Sequence, residues 1–109
     1  MIKRPARKDE LVVILHGIGM STLRMAYVSA ALKIAGFRTL NLGYPSLRRD
    51  IESCADFVAE KIVQKMPGYI GKIHFVAHSM GCLVTLHLLG TGRIANMGRA
   101  VLIAPPYRG

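Results

Sequence analysis

The chain is 109 residues long and carries 15 Lys and Arg against 6 Asp and Glu, a net charge of +9 with histidine neutral. That length accommodates one small domain, and a content of 51% hydrophobic and 19% charged residues excludes a disordered tract or a collagen. The longest apolar run, Leu11 to Leu15, stops at His16-Gly17, far short of the about 20 residues a membrane span needs.

The start, Met1-Ile2-Lys3-Arg4-Pro5-Ala6-Arg7-Lys8, is basic, but no long apolar stretch or small-residue cleavage site follows it, so a secretory signal is not expected. Cys54 and Cys82 match neither a disulfide framework nor a zinc spacing, and a reducing, cytoplasmic setting is the expectation. Residues 1–9 read as a basic tail and 10–109 as one domain. The remaining basic residues are scattered, with no dense stripe on one helix and no aromatic platform, which argues against a nucleic-acid partner. A solvated basic surface is the simpler reading; a polyanion or acidic-lipid contact is the alternative.

In chain order, Leu11–Leu15 is a short β-branched run that reads as a strand buried on both faces. Gly17 and Gly19 break it. Ser21 or Thr22 can cap a helix whose stripe is Leu23, Tyr27, Ala30, Ala31 and Ile34, stopped by Gly36. Phe37 to Leu42 reads as a second strand, ended by Gly43-Tyr44-Pro45. Ile51, Cys54, Ala55, Val58 and Ile62 mark a second amphipathic helix, with Asp50 as a cap and Pro67-Gly68 as its close. Ile73 to Ala77 is a third strand, Met80 to Leu89 a helix apolar nearly all round, and Ala100 to Ala104 a fourth strand beyond a loop containing Gly90, Gly92 and Gly98. This alternation predicts an α/β fold, a parallel sheet of about four strands with helices on both faces. The last strand is almost wholly apolar and predicts an open edge available for self-association.

Two segments carry chemistry. Phe75-Val76-Ala77-His78-Ser79-Met80-Gly81 puts a serine where a buried strand must turn sharply into a helix. Ala77 and Gly81, two residues to either side, are small, as a strained nucleophile elbow requires. Such a turn exposes the serine hydroxyl and aims the first amides of the following helix at a developing oxyanion. The second segment is His16-Gly17-Ile18-Gly19, after the first strand, where glycines let the backbone approach a bound carbonyl. Rival readings are weaker. Cys82 reads as a packing residue, His16 as a hydrogen-bonded turn histidine without metal partners, and Asp50 and Asp56 as cap and surface groups. Thr22 stands where a dinucleotide fingerprint needs its third glycine.

Strand-His-Gly-Ile-Gly, helix, strand ending in Gly43-Tyr44-Pro45, helix, then Ala77-His78-Ser79-Met80-Gly81 resembles the N-terminal half of the α/β-hydrolase superfamily, most closely bacterial lipases and esterases and less specifically the lipid-anchor deacylases. The resemblance spans Leu11 to Pro106. It implies Ser79 as nucleophile, the amides of Ile18 and Met80 as oxyanion hole, and His16, Gly17, Gly19, Ala77, His78 and Gly81 as support. It implies an ester or lipid substrate and no metal or organic cofactor.

The superfamily places its acid and then its histidine after the serine. Here no Asp or Glu follows Ser79, and the one histidine that does, His87, lies eight positions along a helix, roughly 12 Å away. The resemblance therefore implies either a truncated or split chain whose acid and base lie elsewhere, nearly inactive alone, or a non-catalytic binding module that meets an anionic partner through its basic surface.

Overall fold

The computed structural model describes residues 7–17, 25–44 and 50–103. Its elements are β1 (Arg7–Leu15), α1 (Ala26–Ile34), β2 (Phe37–Leu42), α2 (Ile51–Lys65), β3 (Lys72–His78), α3 (Met80–Thr91) and β4 (Met97–Ile103). The strands form one parallel sheet in the order β2-β1-β3-β4. The α/β fold with helices on both faces stands as expected. Ser21, Thr22 and Leu23, along with Ala104, lie outside the described residues.

Alternation along the strands sorts side chains between two layers. Leu11, Val13 and Leu15 of β1, with Ile73, Phe75 and Ala77 of β3, pack against Cys54, Val58 and Ile62 of α2 and Val84 and Leu88 of α3. Val12 and Ile14 face the other way, against Met25, Val28 and Leu32 at α1. Every residue from Leu11 to Leu15 is buried, as a central parallel strand sandwiched between helix layers must be. Asp50 caps α2 by accepting the Ser53 N–H at 2.8 Å. The amide and side chain of Ser53 hold its carboxyl below the ordinary range, with His87 adding a smaller push in the same direction. In the apolar helix α3 the buried Thr85 hydroxyl donates to Gly81 O at 2.8 Å.

Helix α1 corrects the expected stripe. Tyr27 is 75% and Ile34 87% exposed, Ala30 and Ala31 also face solvent, and the buried positions are Met25 and Ser29 with Val28 and Leu32 beside them. The segment is apolar on most sides, so its periodicity did not single out one face. Polarity did: the Ser29 hydroxyl is hydrogen-bonded to Thr39 Oγ1 on β2 at 3.1 Å, which turns that face to the sheet. The loop expected around Gly90, Gly92 and Gly98 is also shorter. Helix α3 continues through Gly90, Gly92 caps it with φ +66°, and Gly98 lies inside β4.

Gly98 is there for a histidine. Ile73 pairs with Met97 but Phe75 with Ala100, so β4 holds one extra residue opposite His74. The His74 ring bridges this bulge: Nδ1 accepts the Arg99 N–H at 2.8 Å, and Nε2 meets Glu10 Oε1 of β1 at 3.0 Å. A Cβ on Gly98 would lie 2.4 Å from His74 Nδ1. Gly98→Ala is expected to displace the ring and cost about 1–3 kcal/mol in urea unfolding. Combined with His74→Ala, the loss should fall short of additive, because the clash and the bond it breaks share one ring.

Candidate active site

The site follows from strand order. From β1 the chain passes through α1 to β2 on one side; β3 then lies on the other side of β1 and leads into α3 on the opposite face of the sheet. Chain connections diverge above the carboxyl ends of β1 and β3, and open α/β sheets form their ligand crevices at such a reversal. Leu15 is in register with Ala77, which sets His16 level with His78 at this mouth.

Ser79 joins β3 to α3 with φ 52° and ψ −116°, the one non-glycine residue with positive φ among those described. A conformation this sparsely populated costs on the order of 1–3 kcal/mol, and the surroundings must hold it. Here the Ser79 N–H donates to Ile103 O of β4 at 3.0 Å, and the Cys82 N–H closes the first turn onto Ser79 O at 2.9 Å. The Met80 N–H sits at the start of α3, where no intrahelical carbonyl can reach it, at the positive end of the helix dipole.

Gly81 brings the two sequence segments together. A Cβ there would stand 2.8 Å from Leu15 O and 3.0 Å from His16 O, both backbone atoms that cannot swing aside. The first turn of α3 thus lies flush on the end of β1. Ala77 is fully buried, Ser79 half-buried. Ile18 and Gly19, expected as oxyanion donor and support, lie outside the described residues.

His16 is a turn histidine, as expected. Its Nδ1 donates to Gly17 O at 2.8 Å, and its Nε2 accepts the Tyr44 N–H at 3.4 Å. Tyr44 stacks on the ring with centroids 4.4 Å apart, and its hydroxyl donates to His16 O. Burial, with Cys54 and Cys82 nearby, pushes the Tyr44 phenol above its ordinary pKa, so it stays a donor. Sequence reasoning read Tyr44 only as part of a strand end; its aromatic ring directly after a strand at the sheet's carboxyl end was the available signal.

Among the described residues no histidine is hydrogen-bonded to Ser79. His16 has both ring nitrogens engaged, His74 is bound between Glu10 and the Arg99 N–H, and His87 lies two turns along α3. His78 Nδ1 is buried without a hydrogen-bond partner. Cys82 is fully buried with its thiol directed at Ala77 O and Ile103 O; burial raises its pKa, consistent with packing. No group of three His, Cys, Asp or Glu side chains suited to a metal occurs among the described residues.

Two substitutions test this joint. Gly81→Ala should cost at least about 1–3 kcal/mol in denaturant unfolding, since the obstructing atoms are backbone. Tyr44→Phe should cost about 1–3 kcal/mol by leaving the His16 carbonyl without its donor.

A serine with positive φ at a strand–helix joint, the N-terminus of that helix beside it and the His16-Gly17 segment against its first turn make an arrangement that can support nucleophilic chemistry. No curated protein matches the chain. Residues 12–109 match the Alpha/beta hydrolase family, and the chain belongs to that family.

Proposed function

We propose that this chain carries the nucleophile half of a serine ester hydrolase of the esterase or lipase kind. The supporting observation is the positive φ of Ser79 at the head of α3, a strain the fold maintains with three separate backbone contacts. In the proposed reaction Ser79 Oγ attacks the ester carbonyl and its proton passes to a base. The Met80 amide, with that of Ile18, receives the oxyanion. The alcohol leaves, and water hydrolyses the acyl-enzyme.

The four histidines offer no base in hydrogen-bonding contact with Ser79, and loss of a triad member leaves only residual turnover from the oxyanion hole. Hydrolysis of p-nitrophenyl acetate by this chain should therefore be feeble and should vanish in Ser79→Ala. A fluorophosphonate probe should add its mass at Ser79 slowly. Activity that survives Ser79→Ala would refute the assignment. The second reading, a non-catalytic binding module for an anionic partner, is favoured by the commitment of His16 and His74 to structural bonds. Complete inertness of folded protein to the probe would select it.

We further propose self-association through β4. It is an edge of the sheet, with Val101 54% and Ile103 41% exposed. Sedimentation velocity should show concentration-dependent association, weakened by Val101→Lys.

A further inference from the structure

At the end of the sheet opposite Ser79, charge and apolar surface meet. All four strands are parallel, so α1 and α2 both finish where β2 and β3 begin. The connection from α2 to β3 reads Lys65-Met66-Pro67-Gly68-Tyr69-Ile70-Gly71-Lys72. It is a braced loop. Gly68 takes φ +74°, the Tyr69 N–H donates to Met66 O at 3.2 Å, the Tyr69 hydroxyl donates to Lys72 O at 2.9 Å, and Asn96 Nδ2 donates to Gly71 O. These bonds fix every neighbour of Ile70, yet Ile70 is 92% exposed, the most exposed large apolar side chain among the described residues.

A cleft of about 480 Å³ runs beneath the loop, lined by Arg38 and Lys65 together with Met66, Tyr69 and Ile70. Among the described residues, no acidic one lines it. A second, smaller cleft of about 200 Å³ shares Met66, Gly68 and Tyr69 and continues over Ile62 and Ile73. Lysine at the last turn of a helix is accounted for by the helix dipole, which explains Lys65. It does not explain Arg38, Lys72 or an isoleucine held outward.

We infer that this end of the molecule is a docking surface for an anionic phospholipid bilayer, with Ile70 entering the acyl boundary while Arg38, Lys65 and Lys72 meet the headgroups. The occupant follows from the combination. A nucleic acid would satisfy the cations but would gain nothing from an aliphatic tip, and the neighbouring Tyr69 packs against the core with its hydroxyl tied to Lys72 O rather than offering a free stacking face. A bilayer satisfies both, since basic side chains are drawn to anionic headgroups and apolar ones insert below them. The inference is independent of the ester chemistry and leaves Ser79 facing away from the membrane.

The chain contains no tryptophan, so Ile70→Trp supplies a single reporter. With vesicles of phosphatidylcholine containing phosphatidylserine, its emission should shift to the blue; with phosphatidylcholine alone it should not. In flotation assays Ile70→Ser should bind the mixed vesicles several-fold more weakly, and Arg38→Ala with Lys65→Ala should lose about fivefold per charge at low salt. The three substituted side chains, Ile70, Arg38 and Lys65, lie at the surface, and unchanged circular dichroism would show that folding is intact. Failure to bind mixed vesicles, or binding without a blue shift, would overturn the inference. So would binding to poly(U) that outcompetes the vesicles and is indifferent to Ile70→Ser.

Discussion

The contact on which the site depends is between backbone and backbone: the first turn of α3, at Gly81, against the last carbonyls of β1. Only a residue without Cβ lets the helix come this close. The closeness brings the Met80 amide, the Ser79 turn and the His16-Gly17 segment together at the carboxyl ends of β1 and β3. The strained φ of Ser79 is a consequence, because a chain leaving β3 level with Ala77 has a single residue in which to turn and enter a helix seated on the neighbouring strand. The bonds from the Ser79 N–H to β4 and from the Cys82 N–H back to Ser79 O hold the turn from both sides. Its cost is carried by the surrounding fold.

Sequence legibility followed how sharply each segment distinguishes inside from outside. In α2 the polar residues Glu52, Asp56, Glu60 and Lys61 leave one apolar stripe, and Cys54, Ala55, Val58 and Ile62 are buried as the spacing predicts. The strand Phe37–Leu42 is bounded by Gly36 and Gly43, and its limits were readable to the residue. In α1, tyrosine, alanines and isoleucine lie on every side, and the face was settled instead by a serine reaching a threonine on another strand. No local pattern contains a partner ten residues away. The bulge in β4 was hidden for the same reason: Gly98 and Arg99 look like loop residues until His74 of a neighbouring strand fills the space a Cβ would occupy.

For the candidate site, the sequence revealed the residues whose constraints are local, namely Ser79, the small Ala77 and Gly81, and the His-Gly turn. It concealed Tyr44, which acts across 28 residues by stacking on His16 and donating to its carbonyl. The histidines show the limit of residue type as a guide. His16 and His74 each use both ring nitrogens, one as donor and one as acceptor, to tie strand ends that backbone pairing leaves unsatisfied. A ring committed on both sides cannot also take a proton from a serine without breaking a bond that holds the fold.

Parallel topology also decides how charge is divided. Every strand delivers its chain to the site end and every helix carries it back, so helix N-termini gather around Ser79 and helix C-termini at the far end. Partial positive charge at the start of α3 favours an oxyanion there, while Lys33 and Lys65 close α1 and α2 at the opposite pole. Among the described residues, Lys33, Arg38, Lys65 and Lys72, scattered along the sequence, are thus gathered by the fold at one end of the strand axis. Arg38 and Lys72, at the starts of β2 and β3, add to the pole the helices have already defined, and the braced loop sets Ile70 between them. The Ser79 joint at the head of α3 and a surface that offers cations therefore come to occupy opposite ends of one small sheet, each placed by the direction in which the chain runs.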